Sequence, residues 1–418
     1  MGQRRQSVSI SVIQLNKRKP ALTFVLITLM LDVLGFGLLI PVAPKLVQGL
    51  LPAGSGDGAA AYAVALLASI YALMQLIFSP ILGALSDRFG RRPVLLTAIF
   101  GSGLDYFALA LSPNLWFLYL TRALNGISGA SMTVCNAYIA DITEPDKRAG
   151  AFGLVGAAFG VGFILGPLMG GWLGSYDIHY PFYAAGALSL LNWLYGLFVL
   201  PESLPPEKRN TFSLKRANPI GAFIQLGKYP LVAGMAGSLF LLNLAMFGLH
   251  TTWVLYTSYR YHWEPWQVGL SLAFVGLGAA VVQGGLARKI IPALGERNSL
   301  LLGLGVGVLA YIGYGAATQG WMIYAIVCVA SIGGIAQPAG QAIITRTVGP
   351  REQGAVQGSL AGLQSIANII GPMLASVVFA YFISDKAPFV MPGASFFLGA
   401  ILAALGLVVA AYATRGHK

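Results

Sequence analysis

Charge is scarce in this sequence. Asp, Glu, Lys and Arg make up 10% of its 418 residues, against about 25% in ordinary soluble domains. Acid is scarcer than base, with 14 Asp and Glu against 26 Lys and Arg. Cysteine occurs twice, at Cys135 and Cys328, both inside apolar runs, which leaves no disulfide framework and no metal-ligand spacing. No paired acids or clustered His, Cys and acid residues suggest catalysis, so neither an enzyme nor a bound metal or cofactor is expected. Long polar stretches are missing too. Glu202 to Tyr229, which contains Pro205-Pro206, is the only one, and it reads as a linker. The tail before Lys19 has no apolar core or cleavage site of a signal peptide, so the first apolar run is expected to double as the insertion signal.

What fills the chain is apolar. Hydrophobic residues make up 56% and mean hydropathy is +0.73. Twelve apolar runs follow one another, six before the linker and six after it. Each approaches the ~20 residues that cross a ~30 Å hydrocarbon layer. The expectation is an all-α polytopic membrane protein of twelve transmembrane helices, built as a six-helix bundle over 1–200, a linker over 201–229 and a second bundle over 230–418.

The net charge of +12 would suit a nucleic-acid binder, but its distribution rejects one. If both termini share a side, all of the 26 basic residues fall on that side except Lys45, Arg122, Arg260 and Lys386. By the positive-inside rule that side is the cytoplasm. A multi-pass protein of the cell (inner) membrane with both termini cytoplasmic is therefore expected.

The halves read as repeats. Moving along by 205 residues puts Gly90 on Gly295, Trp116 on Trp321, Gly129 on Gly334, and Gly166-Pro167 on Gly371-Pro372. Parallel repeats place a transport path between the halves near the midplane. What both halves share is scaffold, and what one half alone carries is a candidate for function. Asp105 falls on Ala310, Arg122 on Val327, Asp87 on Pro292 and Asp141 on Arg346.

Asp32 is about 11 residues into the first run, ~16 Å deep. A carboxylate at that depth costs ~2.5–3.5 kcal/mol on insertion scales, so it marks a cavity or a proton site. Arg122 needs a deep carboxylate partner, and Asp32 and Asp105 are the two on offer. Asp105 reads more as a structural partner than as a proton carrier. Gly83, Asp87, Arg88, Gly90, Arg91 and Asp141 gather around a tight basic hairpin and are expected to gate. Asp87 and Arg91, four apart, share a helix face. Asp87 is placed against another helix N-terminus and Arg91 against Asp141. Gly162, Gly166, Pro167 and Gly170 in the fifth run allow close packing and a hinge. Gln75, Asn136, Gln337, Gln341, Gln364 and Asn368 are the amides expected to meet substrate; Asn136 and Gln341 are repeat equivalents and are expected to face one cavity. Asn243 and Gln283 are further amides within spans. His250 reads as an interfacial residue near the outer end of the seventh run.

The run Gly83-Ala84-Leu85-Ser86-Asp87-Arg88-Phe89-Gly90-Arg91-Arg92-Pro93 resembles the signature loop of the major facilitator superfamily. With Leu31-Asp32-Val33-Leu34-Gly35, Leu104-Asp105-Tyr106, Tyr138-Ile139-Ala140-Asp141 and the glycines from 160 to 171, the chain resembles that superfamily's drug/proton antiporters, most of all the tetracycline-efflux family. The glycine run looks like the fifth-helix motif associated with antiporters. The resemblance implies alternating-access export of small amphipathic compounds in exchange for protons, with the proton gradient in place of a cofactor and a monomer in the lipid bilayer as the working unit. Where that family carries a ninth-helix aspartate and, in some members, an eighth-helix histidine, this chain has Gly307 and Ala279, and a route through Asp32 and Arg122 is the economical replacement. A proton-coupled symporter or a uniporter for a cell metabolite, and a membrane receptor or sensor, are the other readings of the same pattern.

Overall fold

The computed structural model describes residues 22–129, 131–144, 147–209, 229–349 and 352–415. The basic N-terminal tail and residues 210–228 of the expected linker lie outside the described residues. Everything regular among the described residues is helical. In lipid this follows from backbone chemistry, because only a helix or a closed barrel satisfies every N–H and C=O within the hydrocarbon.

Among the described residues eleven helical segments are long and apolar enough to cross a bilayer. The remaining expected span, the fourth, runs as two helices, as does its repeat equivalent, the tenth. In chain order the first half has α1 (Leu22–Leu39), α2 (Ala43–Leu50), α3 (Asp57–Phe89), α4 (Arg91–Ala110), α5 (Leu115–Ser128), α6 (Ser131–Ile142), α7 (Arg148–Tyr176) and α8 (Tyr180–Val199). The second half has α9 (Pro230–Tyr261), α10 (Pro265–Val281), a π-helical turn at Val282–Leu286, α11 (Ala287–Leu294), α12 (Glu296–Ala316), α13 (Gly320–Gly333), α14 (Ala336–Thr347), α15 (Gln353–Phe382) and α16 (Ala394–Ala413). The first span breaks where Pro41 would remove a ladder donor, and it resumes with Pro44 in the first turn of α2.

The repeat is visible in the backbone. α5 and α6 fall on α13 and α14 at the same 205-residue shift, so both half-spans begin and end at equivalent residues. Gly90 and Gly295 each close one helix and open the next with positive φ, 105° and 78°. That left-handed turn favours glycine. Trp116 and Trp321, 81% and 68% exposed, stand at equivalent helix starts where an aromatic belt would meet lipid headgroups.

Each half has a core of its own, and Ala60 and Ala61 of α3 join that of the second half. In the first half Phe24, Leu95, Ile99, Val134 and Tyr138 are buried together. In the second, Trp253, Tyr256, Tyr314 and Phe396 pack edge to face. The halves meet through α7 against α10 and α3 against α15. These contacts gather away from the Asp87–Arg92 hairpin. Lys45 Nζ is 2.6 Å from Glu264 Oε2, Ser69 Oγ donates to Ile369 O at 2.7 Å, and Gly58 faces Ala380. Towards the hairpin face, a Cβ at Gly150, Gly153, Gly156 or Gly160 of α7 would meet nothing within 4 Å. The molecule is closed on the face opposite the hairpin and open on the hairpin face.

Candidate functional site: a charged cluster and an amide-lined cavity

The deep charges come together in the first half. Arg122 Nη2 is 3.0 Å from Asp105 Oδ2, and the two side chains are 14% and 5% exposed. Of the two carboxylates offered by the sequence, the guanidinium takes Asp105. The pair is incompletely satisfied: Asn125 approaches the Asp105 carboxylate, yet Asp105 Oδ1, Arg122 Nε and Asn125 Nδ2 are buried without a well-formed hydrogen bond. Asp32 is half-buried in α1. Gly35, one turn further on, faces Tyr106 so closely that a Cβ there would lie 3.4 Å from the phenol oxygen. Tyr71 and Tyr106 both feel the charges of Asp32, Asp105 and Arg122. Asp32, Asp105, Arg122 and these tyrosines thus form one electrostatic neighbourhood.

At the hairpin, Arg91 is the hub. Its Nη1 lies 2.6 Å from Asp87 Oδ1 and its Nε 3.0 Å from Asp141 Oδ2, and Nη1 also donates to Ser86 Oγ at 2.6 Å. Arg88 lies over the Phe89 ring at 5.2 Å. Among the described residues Asp87 pairs with Arg91. The N-terminus of α4 is held by Glu202, just past α8, which sequence reasoning missed. Glu202 accepts from the backbone N–H of Arg91 at 2.8 Å and of Arg92 at 3.3 Å, so a carboxylate sits on the positive end of α4. Gly90 leaves it room, since a Cβ there would fall 2.2 Å from Glu202 Oε2. No local pattern could have shown this contact, because 111 residues separate Arg91 from Glu202. Glu202→Ala is expected to weaken this corner by about 1 kcal/mol, the usual worth of a helix cap. Amide exchange at Arg91 and Arg92 should rise with membrane insertion unchanged, and unaltered exchange would remove Glu202 from the hairpin's support.

The repeat corrects one inference from the subtraction. Arg91 and Asp141 fall on Glu296 and Arg346, which also form an ion pair at 3.0 Å. The contact is shared by both halves with its sign reversed, so Asp141 belongs to the scaffold as much as to the gate. Asp87, whose equivalent is Pro292, remains an acid with no counterpart in the second half.

The fifth-span glycines pack. A Cβ would fall 2.8 Å from Met30 O at Gly162, 2.8 Å from Leu34 O at Gly166 and 2.1 Å from Leu38 O at Gly170. α7 runs unbroken through Pro167. These residues are the contact stripe against α1.

A cavity of about 440 Å³ opens among α9, the π-helical turn, α14 and α15. Among the expected substrate residues, Gln337, Gln341 and Gln364 line it, joined by Asn243, Gln283 and Gln357. Gln357 was not among the amides picked from the sequence. Gln341 Nε2 donates to Gln357 Oε1. Asn136 and Asn368 are not in the lining, so the repeat equivalents Asn136 and Gln341 do not share this cavity. Gln75 donates to Gly129 O at 3.0 Å and so supports the break between α5 and α6. His250 also departs from expectation. α9 extends to Tyr261, which puts the imidazole well inside the span, with Phe247 on its own helix and Phe163 of α7 each 6.4 Å away between ring centroids.

Sequence comparison decides the family. The chain matches the Major Facilitator Superfamily over residues 25–372 and 293–417. The chain belongs to that superfamily. It is 40% identical to the class C tetracycline resistance protein of Escherichia coli over 364 residues, 87% of this chain and 91% of that one. It is 37% identical to the class B protein of Escherichia coli, covering 85% and 87%. Among solved structures, the fold resembles the human organic anion transporter MFSD10 at a TM-score of 0.69 and 24% identity, covering 95% of this chain and all of that one. It also resembles the nucleoside transporter NupG at a TM-score of 0.74 and 14% identity, covering 95% and 99%. This superfamily member is a multi-pass transporter of small molecules, not an enzyme, and its tetracycline-resistance relatives speak for drug export and against a receptor or sensor.

Proposed function

We propose that this transporter exports small amphipathic compounds, taken from the cytoplasm, in exchange for protons by alternating access. The observation that carries the reading is a division of labour between the repeats. The titratable cluster of Asp32, Asp105 and Arg122 lies in the first half, and the cavity of neutral amides lies in the second. The hairpin face, where the cavity opens, is the cytoplasmic one by its basic residues, with both termini on that side of the cell membrane. The protein acts as a monomer, since each half supplies one component of the exchange. Its termini flank two bundles joined through 201–229. Asp87, Arg91 and Asp141 hold the hairpin face, and rocking of the halves about the α7–α10 and α3–α15 contacts exposes the cavity to each side in turn. Resemblance to the tetracycline-resistance proteins supports export of drug-like molecules.

Purified protein in liposomes tests this. An imposed pH gradient should drive substrate accumulation several-fold above the level without a gradient, and a protonophore should abolish it. Accumulation indifferent to the gradient would point to a uniporter, and accumulation moving with the proton to a symporter.

A further inference from the structure

Several ion pairs of this protein stay within one half. Arg122–Asp105 and Arg91–Asp141 belong to the first and Arg346–Glu296 to the second. Lys45 and Glu264 pair across the halves, on the face opposite the hairpin. Lys45 Nζ, on α2, lies 2.6 Å from Oε2 of Glu264, which directly precedes α10. The repeat holds no second copy of this contact, since a shift of 205 residues puts Lys45 on His250 and Glu264 on Ala59. Nor does α2 have a helical counterpart. The first span breaks after Leu39, whereas α9 runs unbroken from Pro230 to Tyr261. Unlike Arg91–Asp141, the pair is not shared scaffold.

Both partners are held in place before they meet. Val42 and Pro265 converge on Gly174 of α7, where a Cβ would lie 2.2 Å from Val42 Cγ1 and 3.4 Å from Pro265 Cβ. Lys45 is about one turn beyond Val42, on a helix anchored in the first-half core by buried Leu46 and Val47. Glu264 caps α10. Its carboxylate accepts from the Gln267 backbone N–H, and Gln267 Oε1 accepts from the Glu264 N–H at 2.8 Å. A carboxylate already fixed by a capping box loses little further freedom on meeting a lysine, and that loss is what weakens most surface pairs. Exposure acts in the other direction. The two side chains are 34% and 63% exposed, so water takes over both charges when the halves part, and the pair resists parting far less than a buried one would. The contact favours closure and still releases in every cycle.

We propose that Lys45 and Glu264 form a catch on the seam opposite the hairpin, which biases the resting transporter towards the state open on the hairpin face and lets go when the halves rock. This rests on the alternating-access reading of the protein. Because both charges are accessible, the bias is screened by salt.

A cysteine placed by Ala380→Cys, with Cys135 and Cys328 replaced, reports the catch in purified protein held in lipid nanodiscs. Ala380 is 3% exposed and lies opposite Gly58 in the closed face, so a maleimide reaches it when that face opens. Labelling should quicken about two- to fivefold in Lys45→Met, which leaves the capping box intact, and further in Lys45→Glu, where two carboxylates oppose each other. Adding Glu264→Lys to Lys45→Glu should bring labelling back to within about twofold of wild type. Raising salt from about 10 mM to about 1 M shortens the screening length from about 30 Å to about 3 Å. Wild type should then approach Lys45→Met, whose own labelling should stay unchanged. Wild type and Lys45→Met that label alike at low salt overturn the inference, and so does a reversed pair that stays as open as Lys45→Glu. Labelling needs neither substrate nor gradient, so the catch can fail while gradient-driven export succeeds, and the reverse.

Discussion

Replacing Asp32 by asparagine is expected to abolish pH-gradient-driven accumulation while substrate binding persists and loses its pH dependence. Asp32 is ten residues past the start of α1 at Leu22, which places it ~15 Å along the axis and close to the midplane. It is half-buried, so water can reach it when the path opens. Arg122 is already neutralised by Asp105 at 3.0 Å, in a pair that is nearly inaccessible. Asp105 holds Arg122 between α4 and α5, and under the proposed function Asp32 is the acid that exchanges the proton. A desolvated carboxylate favours its neutral form and a nearby guanidinium its charged form, so a small movement of α1 relative to Arg122 switches proton affinity. Competition between proton and substrate then couples the two fluxes. Asp105→Asn leaves the guanidinium buried without its counter-charge, which costs about 3–5 kcal/mol, so its effect should appear as lost protein and not as lost coupling. The decisive measurement is uptake into liposomes with and without a pH gradient. Asp32→Asn that still concentrates substrate against a gradient places the coupling group elsewhere.

Gly269→Leu is expected to stop transport by a different route, holding the two halves apart on the face opposite the hairpin. A Cβ at Gly269 would lie 2.3 Å from Pro167 O and 3.1 Å from the Gly171 Cα. Both obstacles are backbone, so no side-chain rotation relieves them. On the other side of the seam, a Cβ at Gly171 would lie 2.4 Å from Pro265 O. The core around Phe24 lies within the first half, and the core around Trp253 is built mainly from the second with Ala60 and Ala61 of α3 added, so each bundle should still fold and insert. A single cysteine placed by Gly58→Cys, in a background with Cys135 and Cys328 replaced, reports the seam. A Cβ at Gly58 would lie 3.4 Å from Ala380 Cβ in the closed face, and labelling of the cysteine by a membrane-impermeant maleimide should rise by an order of magnitude in the Gly269→Leu protein. Normal transport with unchanged labelling would show that the α7–α10 seam tolerates separation.

Much of this protein is set locally. A run of apolar residues as long as the bilayer is thick must be helical, because the backbone has no other partner there. Spans and the internal repeat could therefore be read from hydropathy and spacing. The 205-residue shift that aligned Gly90 with Gly295 in the sequence recurs in the helix boundaries and in both positive φ angles. Asp32, Asp105 and Arg122 stood out because charge within a span is costly enough to require a reason.

Tertiary structure decided who meets whom. Arg122 chose Asp105 over Asp32, and Glu202 took the N-terminus of α4, through contacts whose partners lie far apart in the chain or in different helices. Amides gave the weakest signal. Gln75 and Gln364 look alike in sequence, yet one bonds a backbone carbonyl and the other faces a cavity. An amide is tolerated in a span wherever it finds a partner, so its residue type does not reveal which partner it finds. His250 moved from the expected interface to the seam because α9 runs on to Tyr261. The sequence determined the helices and the charges they bury; the packing of the two halves decided which of those charges and amides face each other, because that depends on helix rotation and inter-half distance, which no local pattern encodes.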